Sequence, residues 1–230
     1  MRQINFIMDD LFPQNLTLKE SNEFQAKLAQ RLILSDNFNP EIKSVGAATM
    51  HTRGDFITVS AGIFKADSSL KIFELADKNI FRERAQFKAL PGLESFRDGA
   101  ILSKILRGFT KPNFWFIEGH GINHPHKLGL ASHVGLAIDA PTIAVSKDFV
   151  AGYVQTINGN DTIVENGEIL GAVMKSGMMK IYVAPGHKIS WQTALDIAKR
   201  STKSNFPEPL KIVQTNMASE LMASFQNAQR

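Results

Sequence analysis

Residues 118–147 place an acid, glycines and histidines between two short apolar runs. The first run, residues 114–117, ends in Glu118, and the second, residues 142–145, lies just before Lys147. Short continuous apolar runs are typical of central strands that are buried on both faces of a sheet. A carboxylate at the end of such a strand needs a partner, because burying an unpaired charge is costly. Folding alone explains this pattern poorly, so it indicates a functional site.

Histidines are frequent in the same segment: His120, His124, His126 and His133. They lie across a loop, and the chain has no His-Glu-x-x-His spacing, which would put two zinc ligands on one helix face. The chain also has no cysteine, which excludes disulfides and thiolate–metal sites. We therefore favour hydrogen bonds from His124 and His133 to the loop backbone over a zinc site.

The order of motifs in this segment resembles the endonuclease V family, which are deoxyinosine-repair nucleases. The matching elements are Gly-His-Gly, His-Pro, Gly-Leu-Ala-Ser-His-x-Gly and Pro-Thr-Ile, in the same order and spacing. The resemblance extends over most of the chain. It implies an endonuclease that cleaves DNA or RNA near a deaminated base such as inosine. It also implies a Mg²⁺ cofactor, with Mn²⁺ as the alternative, because a divalent ion activates water and neutralises charge on the phosphate.

The family holds its metal with three acids, and this chain departs at each of them. Ala48, in Gly-Ala-Ala-Thr, stands where the first acid belongs. Asp98 replaces a glutamate at the end of Pro-Gly-x-x-x-Phe-Arg-Asp, and Glu118 replaces an aspartate before Gly-His-Gly. The resemblance therefore implies Asp98 and Glu118 as metal ligands and catalytic residues. Magnesium keeps several waters, so few protein ligands suffice.

The resemblance also assigns roles around these acids. Lys147 is expected to stabilise charge at the phosphate, and His187 to orient water or protonate a leaving oxygen. The implied substrate-binding residues, which would form a tight pocket for a flipped base, are Pro91, Gly92, Gly119, His120, Gly121 and Leu130. Ala89 stands where the family has a wedge tyrosine, so stacking of ~1–3 kcal/mol per base is lost.

Structural alternatives stand beside each of these roles. Asp98 has capping spacing with Ser95 at a helix start, Lys147 fits a solvated strand end, and His187 fits a hydrogen-bonding residue at a helix entry. A second hypothesis for the whole chain follows from Ala48 and Ala89. It is a nucleic-acid-binding protein of the same fold whose catalysis is lost or very weak.

The composition fits a globular protein with a sizeable core. The chain has 230 residues, 43% of them hydrophobic, with a net charge of +4 and a pI near 9.3. The positive charge mildly favours a polyanionic partner. No apolar run approaches the ~18 residues of a membrane span, and the N-terminus lacks a signal-peptide pattern. We expect one domain over residues 1–230 and a cytoplasmic location.

Hydrophobic periodicity by itself predicts only an α/β fold. The predicted helices are residues 17–32, 95–108 and 130–138 and one after Ser190. The predicted strands are residues 43–50, 56–64, 70–75, 114–117 and 142–145, followed by a hairpin of 168–174 and 178–183 that turns at Ser176-Gly177. Three antiparallel strands followed by helix-linked parallel strands is the ribonuclease H-like order. The family resemblance therefore implies a mixed central sheet of that fold, flanked by helices.

Overall fold

The computed structural model describes residues 10–13, 16–85, 93–176 and 179–228. The helices are α1 (Leu18–Ala29), α2 (Glu94–Leu106), α3 (Leu130–Ile138), α4 (Trp191–Ser201) and α5 (Glu208–Ala228). The strands are β1 (Ser44–Arg53), β2 (Phe56–Ala66), β3 (Phe73–Arg84), β4 (Phe114–Glu118), β5 (Thr142–Ser146), β6 (Tyr153–Ile157), β7 (Asn160–Glu165), β8 (Glu168–Ser176) and β9 (Met179–His187).

All of these strands form one sheet, in the order β3-β2-β1-β4-β5-β9-β8-β7-β6. Strands β1, β2 and β3 are an antiparallel meander, and β1, β4 and β5 run parallel to one another. Helix α3 makes the crossover between β4 and β5. The parallel strands therefore end at the same edge of the sheet, which is where open α/β sheets build their sites.

Helices cover both faces of the sheet and create two cores. On one face, which we call the α4–α5 face, alternate residues such as Val45, Ala47, Phe114 and Phe116 pack against α4 and α5. On the other, the α2–α3 face, residues such as Trp115 and Ile117 pack against α2 and α3. Strand alternation therefore decides which face each site residue shares.

Most of the predicted elements are present with shifted ends. Helix α3 has its predicted bounds, Thr17 forms both halves of a capping box with Glu20, and Ser190 caps α4. The prediction of residues 70–75 was wrong, because β3 runs from Phe73 to Arg84. Strands β6 and β7 and helix α5 were missed, and the predicted turn residue Gly177 lies outside the described residues.

Candidate active site

Glu118 lies at the end of β4, with Thr49 beside it on β1. The parallel register pairs Ala48 with Ile117, so the next residues along the two strands, Thr49 and Glu118, are neighbours. The Thr49 hydroxyl donates a hydrogen bond to Oε2 of Glu118. By strand alternation, both side chains lie on the α4–α5 face, as Ala47 and Phe116 do. The acid at the strand end is therefore held in place by one hydroxyl.

Asp98 lies on α2 and is bound by its own neighbour, Arg97. The Arg97 guanidinium donates to both carboxylate oxygens, at 2.5 Å from Nε to Oδ1 and 3.1 Å from Nη2 to Oδ2. The two side chains are 8% and 14% exposed. Nη2 also reaches Oγ1 of Thr52 on β1, at 3.4 Å. Helix α2 begins at Glu94, and its N-cap, Leu93, makes no side-chain hydrogen bond. Asp98 therefore does not cap the helix, which was the structural alternative considered for it.

Ala48 is fully buried on the α2–α3 face, in the cluster that contains Ile101 and Ile117. Its methyl group therefore points to the side of the sheet that carries α2, the helix of Asp98. In the part of the chain that the structure describes, no three His, Cys, Asp or Glu side chains gather as a metal cage would require. An alanine side chain at position 48 offers no oxygen ligand on that side of the sheet.

The loop after Glu118 turns sharply around glycines. Gly119 has a φ of +139°, which favours glycine, and its N–H bonds to the carbonyl of Val145 at 3.0 Å. A Cβ at Gly121 would lie 2.3 Å from the Pro185 carbonyl oxygen, so a larger residue cannot fit. The loop carbonyls of His120 and Gly121 accept hydrogen bonds, both at 2.9 Å, from Ala131 and Gly129 at the start of α3.

Four of the predicted substrate-binding residues therefore lie together beside Glu118. Gly119, His120 and Gly121 form the loop, and Leu130 packs next to Gly119, where an added Cβ would be 3.5 Å away. His120 Nε2 lies 3.3 Å from Oδ1 of Asp148 on the following loop. The remaining two, Pro91 and Gly92, lie outside the described residues, as does Ala89.

Lys147 lies directly after β5, at the same edge of the sheet as Glu118. Its side chain is exposed, and Nζ is 5.7 Å from the centre of the Phe206 ring. Since Glu118 pairs with Val145, Lys147 is two residues further along the neighbouring strand and on the same face. This position suits a cation that meets a phosphate above Glu118.

His187 lies at the other end of β5. It pairs with Thr142, three residues before Val145, so about 10 Å of strand separates it from the level of Glu118. Nδ1 accepts the N–H of Ile33 at 3.3 Å. Burial, helped by the positive charge of Lys188, lowers the pKa of His187 to about 4. The structure does not bring His187 together with the acids, so our candidate site does not include it.

Two further histidines, His124 and His133, make structural hydrogen bonds. His133 is fully buried, with Nε2 2.7 Å from the Leu11 carbonyl oxygen and Nδ1 3.3 Å from Oγ of Ser95. Burial lowers its pKa to about 4. His124 Nδ1 accepts the backbone N–H of His126 at 3.3 Å. The expected backbone hydrogen bonds are present, although His133 binds the N-terminal segment rather than the loop.

Two site residues were missed from the sequence. Thr49 was passed over because only the strand register places its hydroxyl beside Glu118. Arg97 was noted as part of a motif, but its pairing with Asp98 was not foreseen. A signal for Thr49 exists in retrospect, since a polar residue follows the apolar residues 45–48 at the predicted end of a central strand.

The strand order and the helices on both faces define a protein of ribonuclease H-like fold. The crystal structure of endonuclease V from Bacillus subtilis superposes with a TM-score of 0.81 at 18% identity, covering 95% of this chain and 97% of that one. Endonuclease V from Ciona intestinalis, solved with a DNA containing an inosine followed by a ribo-adenosine, has a TM-score of 0.75 at 21% identity, covering 90% and 98%.

Sequence comparison identifies the family. The model described as Endonuclease V matches residues 26–215. Endonuclease V from Rippkaea orientalis is 36% identical over 200 residues, which is 84% of this chain and 86% of that protein. Endonuclease V from a Nostoc species is 32% identical over 208 residues, 87% and 93% of the two. The chain belongs to the endonuclease V family. Among the described residues, no helix is long and apolar enough to cross a membrane.

Proposed function

We propose that the chain is a metal-dependent endonuclease that cleaves a nucleic-acid strand next to a deaminated base, inosine. The observation that carries this proposal is Glu118, an acid at the end of β4, oriented by Thr49 and followed by a glycine loop. Membership of the endonuclease V family supports a nuclease. The inosine-containing DNA bound to the Ciona relative supports the choice of substrate.

The carboxylates of the site are suitable ligands for magnesium. Glu118 and Asp98 offer hard carboxylate oxygens, and two suffice because magnesium retains several waters. When bound, the ion would activate water and neutralise charge on the phosphate. Both Asp98 oxygens accept a hydrogen bond from Arg97, and each keeps a second lone pair for the ion. Glu118 continues the α4–α5 face and Asp98 lies on α2 at the other face, so the two carboxylates can share an ion only beyond the end of β4. Our prediction is that they lie within roughly 6 Å there. Anomalous diffraction from Mn²⁺-soaked crystals measures this separation.

The remaining residues bind and orient the strand. Lys147 takes the phosphate oxygen on which negative charge develops. Gly119 lets the strand approach the loop backbone closely, and His120 and Leu130 line that approach, while Gly121 packs the loop against Pro185. A base turned out of its stack would enter here, as enzymes that act on bases require.

A cleavage assay tests the proposal directly. Inosine-containing DNA and RNA strands are incubated with Mg²⁺ or Mn²⁺, beside strands that carry adenosine at the same position. We expect inosine-dependent cleavage that is lost with a chelator and in the matched variant Glu118→Gln. Cleavage by the parent no faster than by Glu118→Gln, with both ions and both nucleic acids, would show that the proposal is wrong.

The second candidate is a nucleic-acid-binding protein with weak or lost catalysis. Two observations favour it: the buried methyl group at Ala48 and the ion pair that occupies Asp98. Binding should then be retained and should weaken as salt rises, since phosphate contacts release counterions. Anisotropy titrations over a range of salt concentrations measure this. Binding that is absent at low salt would contradict both candidates.

Ala48→Asp separates the two candidates. If the missing acid limits catalysis, this variant should bind magnesium more tightly and cleave about tenfold faster. The new carboxylate is buried, so the protein should be less stable without the ion than with it. Ala48→Asn is the matched control, with the same size and no charge. If Ala48→Asp and the parent cleave at equal rates at saturating magnesium, with binding intact, base recognition rather than the missing acid limits cleavage.

A further inference from the structure

The outer part of the α4–α5 face carries an exposed group of basic and aromatic side chains that the candidate site does not use. It lies where the β1–β2 hairpin meets the end of β3. The register puts Arg53, Phe56 and Arg84 in one row across the three strands. His51 and Arg82 lie in the row with Thr58, two residues closer to Thr49. We call these five residues, His51, Arg53, Phe56, Arg82 and Arg84, the hairpin platform.

All five side chains of the platform are exposed, and Phe56 is 42% exposed. The Arg82 guanidinium lies over the Phe56 ring, with Cζ 4.5 Å from the ring centre. This is the diagonal contact expected of residues on neighbouring strands. A planar cation on an aromatic ring leaves a flat, positively charged surface of the kind on which bases stack. A large aromatic ring at this position contributes little to the core, so folding does not explain it.

The charge of the platform is positive. Three arginines and a histidine are present, and the carboxylate beside them, Asp55, pairs with Arg84 at 3.2 Å. Glu83 lies between Arg82 and Arg84 in the sequence, but alternation turns it to the α2–α3 face, where it pairs with Lys104 at 3.2 Å. The exposed side of the hairpin therefore presents cations to an anionic partner.

The platform lies near the candidate site along β1. Thr49, which holds Glu118, is four residues from Arg53 on the same face of β1, or about 13 Å. Thr52, next to Arg53 but on the opposite face of β1, contacts the Arg97 that binds Asp98, so Asp98 lies on the other side of the same strand. A strand that reaches the acids and continues along the hairpin would pass over Phe56.

We propose that the hairpin platform binds the unpaired nucleic-acid strand that flanks the cleaved bond. One base stacks on Phe56 and Arg82, and the arginines contact phosphates. This inference rests on the proposed function, because it extends the same substrate beyond the acids. It gives the chain an aromatic contact with its substrate at a position distinct from Ala89, where the family's tyrosine is missing.

The test combines substitutions with shortened substrates. Phe56→Leu removes the ring and keeps an apolar side chain, and Arg82→Gln removes the charge. Tyr153→Leu and Lys71→Gln are the matched controls, because both are exposed and lie elsewhere, Tyr153 at the opposite edge of the sheet. Affinity for an inosine-containing single strand is measured by anisotropy, and the strand is then truncated nucleotide by nucleotide from each end. Thermal unfolding checks that every variant is folded.

We expect Phe56→Leu to weaken binding of the full strand about 5- to 150-fold, the range for one stacked base. When the strand is shortened from one end, the difference in affinity between Phe56→Leu and the parent should disappear once the nucleotide that stacks on Phe56 is removed. The side chain and the base would then behave as a coupled pair. Arg82→Gln should also reduce the salt dependence of binding. The controls should bind as the parent does.

The outcomes separate this inference from the proposed function. If the parent cleaves inosine strands and Phe56→Leu binds them as tightly as Tyr153→Leu does, the hairpin platform does not bind the strand, and the proposed function still stands. If the parent does not cleave but binds unmodified single strands in a manner lost in Phe56→Leu, the platform is supported and the cleavage proposal fails. If no single strand binds at low salt, both are overturned.

Discussion

The two ends of the parallel strands β4 and β5 carry the same types of residue in opposite surroundings. At the carboxyl end, Glu118 is half-buried and Lys147 is exposed, beside the glycine loop. At the amino end, His187 is buried, and Asp139 and Lys188 form an ion pair at 2.6 Å. Each end therefore has an acid, a lysine, glycines and a histidine, but at the amino end the histidine is buried and the lysine is only 16% exposed beside the exposed Asp139.

The packing shows which end is structural. At the amino end, a Cβ at Gly135 would lie 2.5 Å from Thr142 Oγ1, and a Cβ at Gly186 would lie 2.2 Å from the same atom. The glycines there let α3 and β9 pack closely. At the carboxyl end, the positive φ of Gly119 turns the chain away from the strand and leaves Glu118 accessible. Glycines pack closely at both ends, since Gly121 meets the Pro185 carbonyl, but only the carboxyl end adds a glycine with a positive φ beside an acid.

The largest effect is expected from a substitution at the carboxyl end. Glu118→Gln keeps the size of the side chain and its hydrogen bond from Thr49, but removes the charge that holds an ion. We expect single-turnover cleavage to fall at least about a thousandfold, because the ion supplies several kcal/mol of charge stabilisation. The free energy of unfolding should change little.

His187→Gln is the counterpart at the amino end. Cleavage should stay within about threefold of the parent, while the free energy of unfolding falls by about 1–3 kcal/mol, because a buried hydrogen bond is disturbed. Urea unfolding measures the stability. If His187→Gln abolishes cleavage in a folded protein, the assignment of the two ends is wrong.

A second prediction concerns the ion pair at the carboxyl end. Arg97→Met leaves the Asp98 carboxylate nearly buried without its partner, so stability should fall by about 3 kcal/mol. Magnesium should restore part of this loss in a concentration-dependent way, because it binds the folded state. The double variant with Asp98→Asn should be more stable than Arg97→Met and insensitive to magnesium. A destabilisation that magnesium does not relieve would argue against Asp98 as a ligand.

Local patterns predicted the elements that depend on local signals. Thr17 and Ser190 begin helices because their hydroxyls satisfy backbone N–H groups in the first turn. Strand β6 was missed because Tyr153 and Val154 are both exposed, so the strand has no alternation to detect. Edge strands of this kind depend on pairing with a neighbour rather than on their own pattern.

The site was predictable only in part, since its contacts depend on register and on side-chain geometry. Neighbouring residues on a helix do not normally face each other, yet Arg97 folds back onto Asp98 with two hydrogen bonds. The linear motifs around Lys147 and His187 gave no sign that the two lie at opposite ends of β5. The antiparallel pairing of β9 decides that.

The buried His187 at the amino end should make the stability of the protein depend on pH. The folded state lowers the pKa of His187 to about 4 from an ordinary 6.5, so the unfolded chain binds a proton first as pH falls. Stability from this residue is fully present above about pH 6.5 and is lost progressively toward pH 4, by about 2 kcal/mol between pH 7 and pH 5. Urea unfolding at pH 7 and pH 5 should show a smaller difference for His187→Gln than for the parent. Equal differences would mean that His187 does not contribute.

The smallest expected effect concerns Thr49, which positions Glu118. Thr49→Val keeps the shape of the side chain and removes the hydroxyl that donates to Oε2. Groups that orient a metal ligand typically change affinity 10–100-fold, and we expect about tenfold weaker Mn²⁺ binding, measured by electron paramagnetic resonance. Thr49→Ser retains the hydroxyl and should bind the ion as the parent does, although it removes a methyl group from a buried position. If Thr49→Ser is as weak as Thr49→Val, packing rather than the hydrogen bond explains the loss. If neither variant differs from the parent, Glu118 does not depend on Thr49 for its position.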